Sequence, residues 1–203
     1  MLTPLYIDDA LLVINKPSGI LSVPGKGVGK QDCMLYRIQE EFSNTLLVHR
    51  LDMDTSGLMI FARSFEAQRK LSMQFEGRMI KKRYVALLEG ELTDNQGEVQ
   101  SPIRKDMTQS LPPRHIVDHQ HGKSAHTKWS VIDRYNNRTR VYLYPLTGRS
   151  HQLRVHMFEI GHPIIGDPIY GARKERMLLH AEKLCFNHPV NDTWLELESV
   201  APF

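Results

Sequence analysis

Nine consecutive residues, His49-Arg50-Leu51-Asp52-Met53-Asp54-Thr55-Ser56-Gly57, set a carboxylate between an arginine and a Thr-Ser-Gly turn, directly after the apolar run Leu46-Leu47-Val48. A strand ending at that run would project Asp52 from a tight loop beside a cation, the placement that a nucleophile or general base requires. A free aspartate, with a pKa of ~3.9, is already ionised at neutral pH. What it lacks in an open loop is a fixed direction. A guanidinium supplies that through paired hydrogen bonds and favours the charged form. The ordinary alternative is that Asp52 caps backbone N–H groups, for which Thr-Ser-Gly is common turn chemistry.

Two other chemistries touch the same string. Asp52-Met53-Asp54-Thr55 imitates the DxDxT of aspartyl-phosphate phosphotransferases, but that motif expects apolar strand residues immediately before the acid, where His49 and Arg50 stand. Asp54-Thr55-Ser56-Gly57 imitates the D-T-G of aspartic proteases, yet a serine separates Thr55 from Gly57 and no second copy supplies the paired carboxylates. Metal chemistry finds little support. His115, His119, His121 and His126 crowd one stretch, but no cysteine or acid recurs there with zinc-ligand spacing.

The elements that would hold the loop can be read on either side of it. Leu11 to Ile14 predicts a short buried strand stopping at the turn signal Lys16-Pro17-Ser18-Gly19. The tract Pro24-Gly25-Lys26-Gly27-Val28-Gly29-Lys30 fits neither GxxxxGK[ST] nor GxGxxG between strand and helix, so it reads as a flexible loop and not a phosphate cradle. Met34 to Phe42 predicts a helix, and Leu58 to Ala62 a buried strand leaving the HRLD loop. Ser64 then caps a helix with Ala67, Leu71 and Phe75 on one stripe and Gly77 at its end. Strands are predicted at Tyr84 to Leu88, Trp129 to Ile132 and Arg140 to Tyr144, the last alternating Val141 and Leu143 with Tyr142 and Tyr144. A helix from near Ser150 carries Leu153, Met157 and Ile160 on one side, with Gly161 at its end. Without a regular βαβ repeat, the pattern is α+β with a mostly antiparallel sheet.

Composition bounds the class. The 203 residues are 41% hydrophobic and 24% charged, as in globular proteins, and no apolar run approaches the ~20 residues that would span a bilayer. The N-terminal stretch lacks a basic region before an apolar one, so it does not read as a signal peptide. Cys33 and Cys185 lie far apart, which points to reduced thiols and a cytoplasmic protein. Net charge is +3, too small to specify a partner, but Arg104, Lys105, Arg114, Lys123 and Lys128 face only Asp106 and Asp118 over one segment. That segment is either a surface for a polyanion or a solvated basic loop.

HRLD, two variable residues and TSG resemble the active-site signature of the RluA-type pseudouridine synthases. The resemblance continues through Ile14-Asn15-Lys16-Pro17-Ser18-Gly19 with Leu21-Ser22-Val23-Pro24-Gly25, and through Lys81-Lys82-Arg83-Tyr84-Val85-Ala86. It extends to Thr147-Gly148-Arg149-Ser150-His151-Gln152-Leu153-Arg154-Val155-His156, to Gly161-His162-Pro163-Ile164-Ile165-Gly166-Asp167, and to Leu178-Leu179-His180-Ala181. It therefore spans nearly the whole chain. It implies one catalytic domain over residues 1–203, a mixed, mostly antiparallel sheet with a central active-site cleft, and no N-terminal RNA-binding module ahead of the first motif.

It also implies conversion of uridine to pseudouridine. The N-glycosidic bond breaks, the base turns, and a carbon–carbon glycosidic bond forms, so nothing is oxidised or hydrolysed overall and no cofactor or metal is expected. Asp52 would be the nucleophile or base, Arg154 its cationic partner, and Tyr84 the ring that stacks on the target base. From propensity alone, Arg154 would be an exposed helix-face arginine and Tyr84 a half-buried sheet residue. A uridine in a folded loop must be swung out, and Arg50 is a candidate to fill the vacated space or hold its phosphate. The short form with SVPG and HRLDM is most similar to the dual-specificity members acting on a 23S rRNA loop and the tRNA anticodon stem-loop. Residues 102–128 are where substrate choice is expected. The expected partners are rRNA and tRNA stem-loops, with no membrane and no obligate protein partner, and the protein is expected to be a monomer. A different uridine site, or a non-catalytic RNA-binding module keeping the fold, are the alternatives.

Overall fold

The computed structural model describes residues 3–25, 29–109 and 112–203. Residues 1 and 2, residues 26–28 of the glycine-rich tract, and residues 110 and 111 of the basic segment lie outside the described residues. In chain order the first elements are β1 (Tyr6–Ile7), β2 (Leu11–Lys16), α1 (Met34–Glu41), β3 (Leu46–Leu47), β4 (Ser56–Ala62), α2 (Phe65–Glu76) and β5 (Lys81–Glu89). Then come β6 (Gln96–Val99), β7 (Ile103–Lys105), β8 (His115–Val117), β9 (Thr127–Tyr135), β10 (Arg138–Pro145), α3 (Gln152–Glu159), β11 (Leu179–Asn187) and β12 (Trp194–Glu198). The fold is α+β with antiparallel ladders predominating. The chain divides into two units, Met1–Lys81 with Ala181–Pro202, and Lys82–His180 with Phe203.

In the first unit β2 and β4 run antiparallel, with Leu12 opposite Phe61 and Lys16 opposite Gly57. Every residue of β4 is buried, as are Leu11 to Ile14 of β2. An uninterrupted apolar run is what a strand covered on both faces requires. β1 pairs with β2, β3 with β4, and β11 with β12. Helix α2 begins where Ser64 Oγ accepts the Ala67 N–H at 3.1 Å. Its stripe of Ala67, Leu71 and half-buried Phe75 packs into a core with Leu58, Ile60, Leu184 and Phe186. Truncating Leu71 to alanine would cost about 2–5 kcal/mol.

The second unit orders its strands β5-β10-β9-β6. In β10 Val141 and Leu143 are buried and Tyr142 and Tyr144 half-buried, the alternation its sequence predicts. Helix α3 differs from expectation. It starts at Gln152, after His151 in a left-handed conformation, and Gln152 through Met157 are buried without interruption. Its polar residues can be buried because they are saturated. Gln152 Nε2 donates to Thr127 Oγ1 at 3.0 Å, and Gln152 Oε1 accepts from the Arg149 amide at 3.0 Å. His156 lies 2.9 Å from Thr127 Oγ1 and 3.0 Å from the Ser101 carbonyl. The basic segment forms the β7–β8 hairpin, in which Asp118 pairs with Arg104 and so neutralises part of the excess charge.

Candidate active site

The HRLD loop joins β3 to β4 and is held from below at nearly every step. His49 Nε2 accepts the Ile60 N–H at 3.0 Å while its ring stacks on Phe75, with centroids 4.6 Å apart. The buried Ser22 hydroxyl donates to the Leu51 carbonyl at 2.6 Å and accepts the Leu51 N–H at 3.1 Å. The Gly19 N–H donates to the Met53 carbonyl at 2.9 Å, and Ser18 Oγ donates to the Asp54 carbonyl at 2.7 Å. A turn closes where the Thr55 N–H meets the Asp52 carbonyl at 3.2 Å. Between these anchors Arg50 is exposed and Asp52 half-buried. The loop therefore presents its arginine and its acid while the residues around them are tied to the core.

Two features absent from the sequence reading complete this grip. Lys16 is fully buried at the end of β2, where its ammonium donates to the carbonyls of Pro17 (2.8 Å), Ile20 (2.8 Å) and Met53 (2.9 Å). Three acceptors match its three hydrogens. Burial pushes its pKa down to about 8, against the opposing pull of Asp54 and Asp52. A lysine closing an apolar strand just before Pro-Ser-Gly was the available signal, and it reads more simply as turn punctuation. The second feature is Gly57, at φ +116°. A Cβ there would fall 2.3 Å from the Ala181 carbonyl oxygen, so only glycine lets β4 leave the loop against the β11 backbone.

Tyr84 and Arg154 belong to the second unit, Arg50 and Asp52 to the first. Tyr84 sits on β5, half-buried against the core of its unit and opposite Leu143 of β10. Arg154, at 2% exposure, is not the exposed helix-face residue that its type predicts. Its Nε and Nη2 donate to Oδ2 and Oδ1 of Asp167 at 2.7 and 2.8 Å, a bidentate pair. Asp167 is itself fully buried. Burial alone would raise its pKa, but the Arg154 hydrogen bonds and charge, with the amides of Ile169 and Tyr170, hold it below the usual carboxylate range.

Residues 10–159 match the family model described as RNA pseudouridylate synthase. The chain belongs to that family. The synthase is 46% identical over 204 residues, 98% of its own length and 92% of the relative's, to the dual-specificity RNA pseudouridine synthase RluA of Pasteurella multocida. It is 42% identical to the protein of that name from Escherichia coli K12, covering 98% of this chain and 93% of the relative. Among solved structures, human RNA pseudouridylate synthase domain containing 1 superposes with a TM-score of 0.84 at 28% identity, covering 100% of the synthase and 84% of that chain. The enzyme thus isomerises uridine in RNA. Among its described residues, no helix is long and apolar enough to cross a membrane.

Proposed function

We propose that the enzyme converts specific uridines to pseudouridine in a 23S rRNA loop and in the tRNA anticodon stem-loop, with Asp52 as nucleophile or base. The observation that carries this reading is the immobilised HRLD loop, which fixes its backbone through Ser22, Gly19, Ser18 and Lys16 and presents Asp52 half-buried. Dual specificity is supported by likeness along 98% of the chain to relatives named for it. Tyr84 is the ring that stacks on the target base, Arg154 a cation that holds the reacting groups, and Arg50 the residue that fills the space of the extruded base or binds its phosphate. Residues 102–128 carry substrate choice. The protein acts as a cytoplasmic monomer with no cofactor and no metal.

Forming the new glycosidic bond at C5 expels the hydrogen that C5 carried, and N1 gains one. RNA tritiated at uracil C5 therefore reports the reaction without added metal. Release is expected from both a 23S rRNA stem-loop and a tRNA anticodon stem-loop with the wild type. Asp52→Asn should release nothing above background while still folding and binding both RNAs. Activity persisting in that variant removes Asp52 from the role, and release from only one RNA removes dual specificity.

A further inference from the structure

The string Gly161-His162-Pro163-Ile164-Ile165-Gly166-Asp167 has no part in the chemistry assigned so far, yet its last residue holds Arg154 through two buried hydrogen bonds. We infer that Asp167, with Tyr170, is a positioning residue that fixes the direction of the Arg154 guanidinium. The inference rests on the reading that Arg154 acts on the substrate. Asp167 takes the Nε–Nη2 edge in two parallel hydrogen bonds, which sets the plane of the guanidinium and aims its other edge. The ring of Tyr170 lies against its face, 5.2 Å from centroid to Arg154 Cζ.

Tyr170 is in turn immobilised. Its hydroxyl accepts the His115 N–H at 2.8 Å, and lies 3.0 Å from the His115 carbonyl and 2.9 Å from His151 Nδ1. The ring that covers Arg154 is thus tied to β8, one arm of the basic hairpin, and to the left-handed residue that precedes α3. Asp167 adds its own constraint on Tyr170, because Oδ1 also accepts the Ile169 and Tyr170 amides at 2.9 and 3.1 Å.

Charge bookkeeping separates orientation from simple attraction. Asp167 cancels the formal charge of Arg154, so removing it strengthens the positive field of the site. If Arg154 worked by charge alone, Asp167→Asn would raise activity or RNA affinity. If direction matters, the same change lowers kcat. Asparagine can still accept the Ile169 and Tyr170 amides through its carbonyl, so the turn is kept. Its NH2 group then faces the Arg154 Nε–H, donor against donor, and displaces the guanidinium.

The test measures kcat and KM for tritium release, and RNA affinity, with wild type, Arg154→Gln, Asp167→Asn and the double variant on one stem-loop. The expected result is a fall of about 10- to 100-fold in kcat for Asp167→Asn, as for loss of a supporting group or a small misplacement. RNA affinity should hold, and the double variant should lose no more than Arg154→Gln alone. An unchanged or raised kcat in Asp167→Asn overturns the inference, as does an equal loss in both backgrounds, which marks a merely structural role. Wild-type kcat in Arg154→Gln overturns instead the assignment of Arg154. Should Asp167→Asn fail to fold by circular dichroism, Tyr170→Leu and Tyr170→Phe take its place. Leucine removes the ring from the guanidinium and is expected to lower kcat well below phenylalanine, and equal kcat in the two overturns the inference.

Discussion

Replacing Lys16 by methionine keeps the length of a fully buried side chain and removes its ammonium. The structure fixes how the consequence depends on pH. In the folded protein the Lys16 proton leaves at about 8, whereas in the unfolded chain it is held to about 10.5. Below pH 8 both states are protonated and folding bears the whole cost of burying the charge. Between pH 8 and 10.5 the unfolded state binds one proton more, so raising the pH favours the folded state. The shift of ~2.5 units, at 1.36 kcal/mol each, corresponds to about 3 kcal/mol. Urea unfolding of wild type and Lys16→Met from pH 7 to 10.5 isolates this, because groups common to both proteins cancel in the difference. The stability of wild type relative to Lys16→Met is expected to be level up to pH 8 and then to rise by about 1.4 kcal/mol per unit. A level difference throughout would show that Lys16 does not titrate early. A falling one would show that its three carbonyls outweigh its burial and raise its pKa.

Gly57→Ala sets a methyl group against the Ala181 backbone in a conformation that L residues avoid, and should cost about 3–5 kcal/mol in urea unfolding. Gly161→Ala, also at positive φ but with nothing within 4 Å, should cost only about 1–2 kcal/mol. Equal losses would mean that the strand crossing at Gly57 is not tight. His156 has its pKa lowered, chiefly by burial, so on acidification the unfolded chain takes its proton first, near 6.5. Stability is then lost as pH falls below that value, and levels off only once the folded His156 protonates. His156→Gln should show a shallower acid loss in thermal melts between pH 7 and 5, and parallel curves would refute the role.

The elements around the HRLD loop were legible because local chemistry and burial agree there. The Ser64 cap, the Ala67-Leu71-Phe75 stripe and the run Leu58 to Ala62 each appear where their residues predict. Strand β11 was not legible, although it is buried along most of its length. Buried His180 and Glu182 and half-buried Lys183 interrupt its apolar pattern, and only tertiary neighbours make the burial of the first two tolerable. For β12 a signal existed, since Leu195 and Leu197 alternate with exposed Glu196 and Glu198. Helix α3 shows the limit of periodicity. Leu153 and Met157 reveal one inward face, but the opposite face is inward too, and its polar residues are paid for by partners as distant in sequence as Ser101 and Thr127.

The same limit explains why the burial of Lys16 and Arg154 is not legible in their residue types, and the two cations do different work. A buried charge must be matched, and a sequence does not show with what. Lys16 is matched by neutral carbonyls, so its full charge persists beneath the Asp52 loop, where Asp52 and Asp54 feel it. Arg154 is matched by a carboxylate, so little net charge survives and what the pair retains is direction. Neutralising Lys16 should therefore weaken the hold on a negative charge, while neutralising Asp167 should strengthen the local positive field and still impair the chemistry. Opposite electrostatic changes with the same loss of activity would separate a cation that holds charge from one that holds direction.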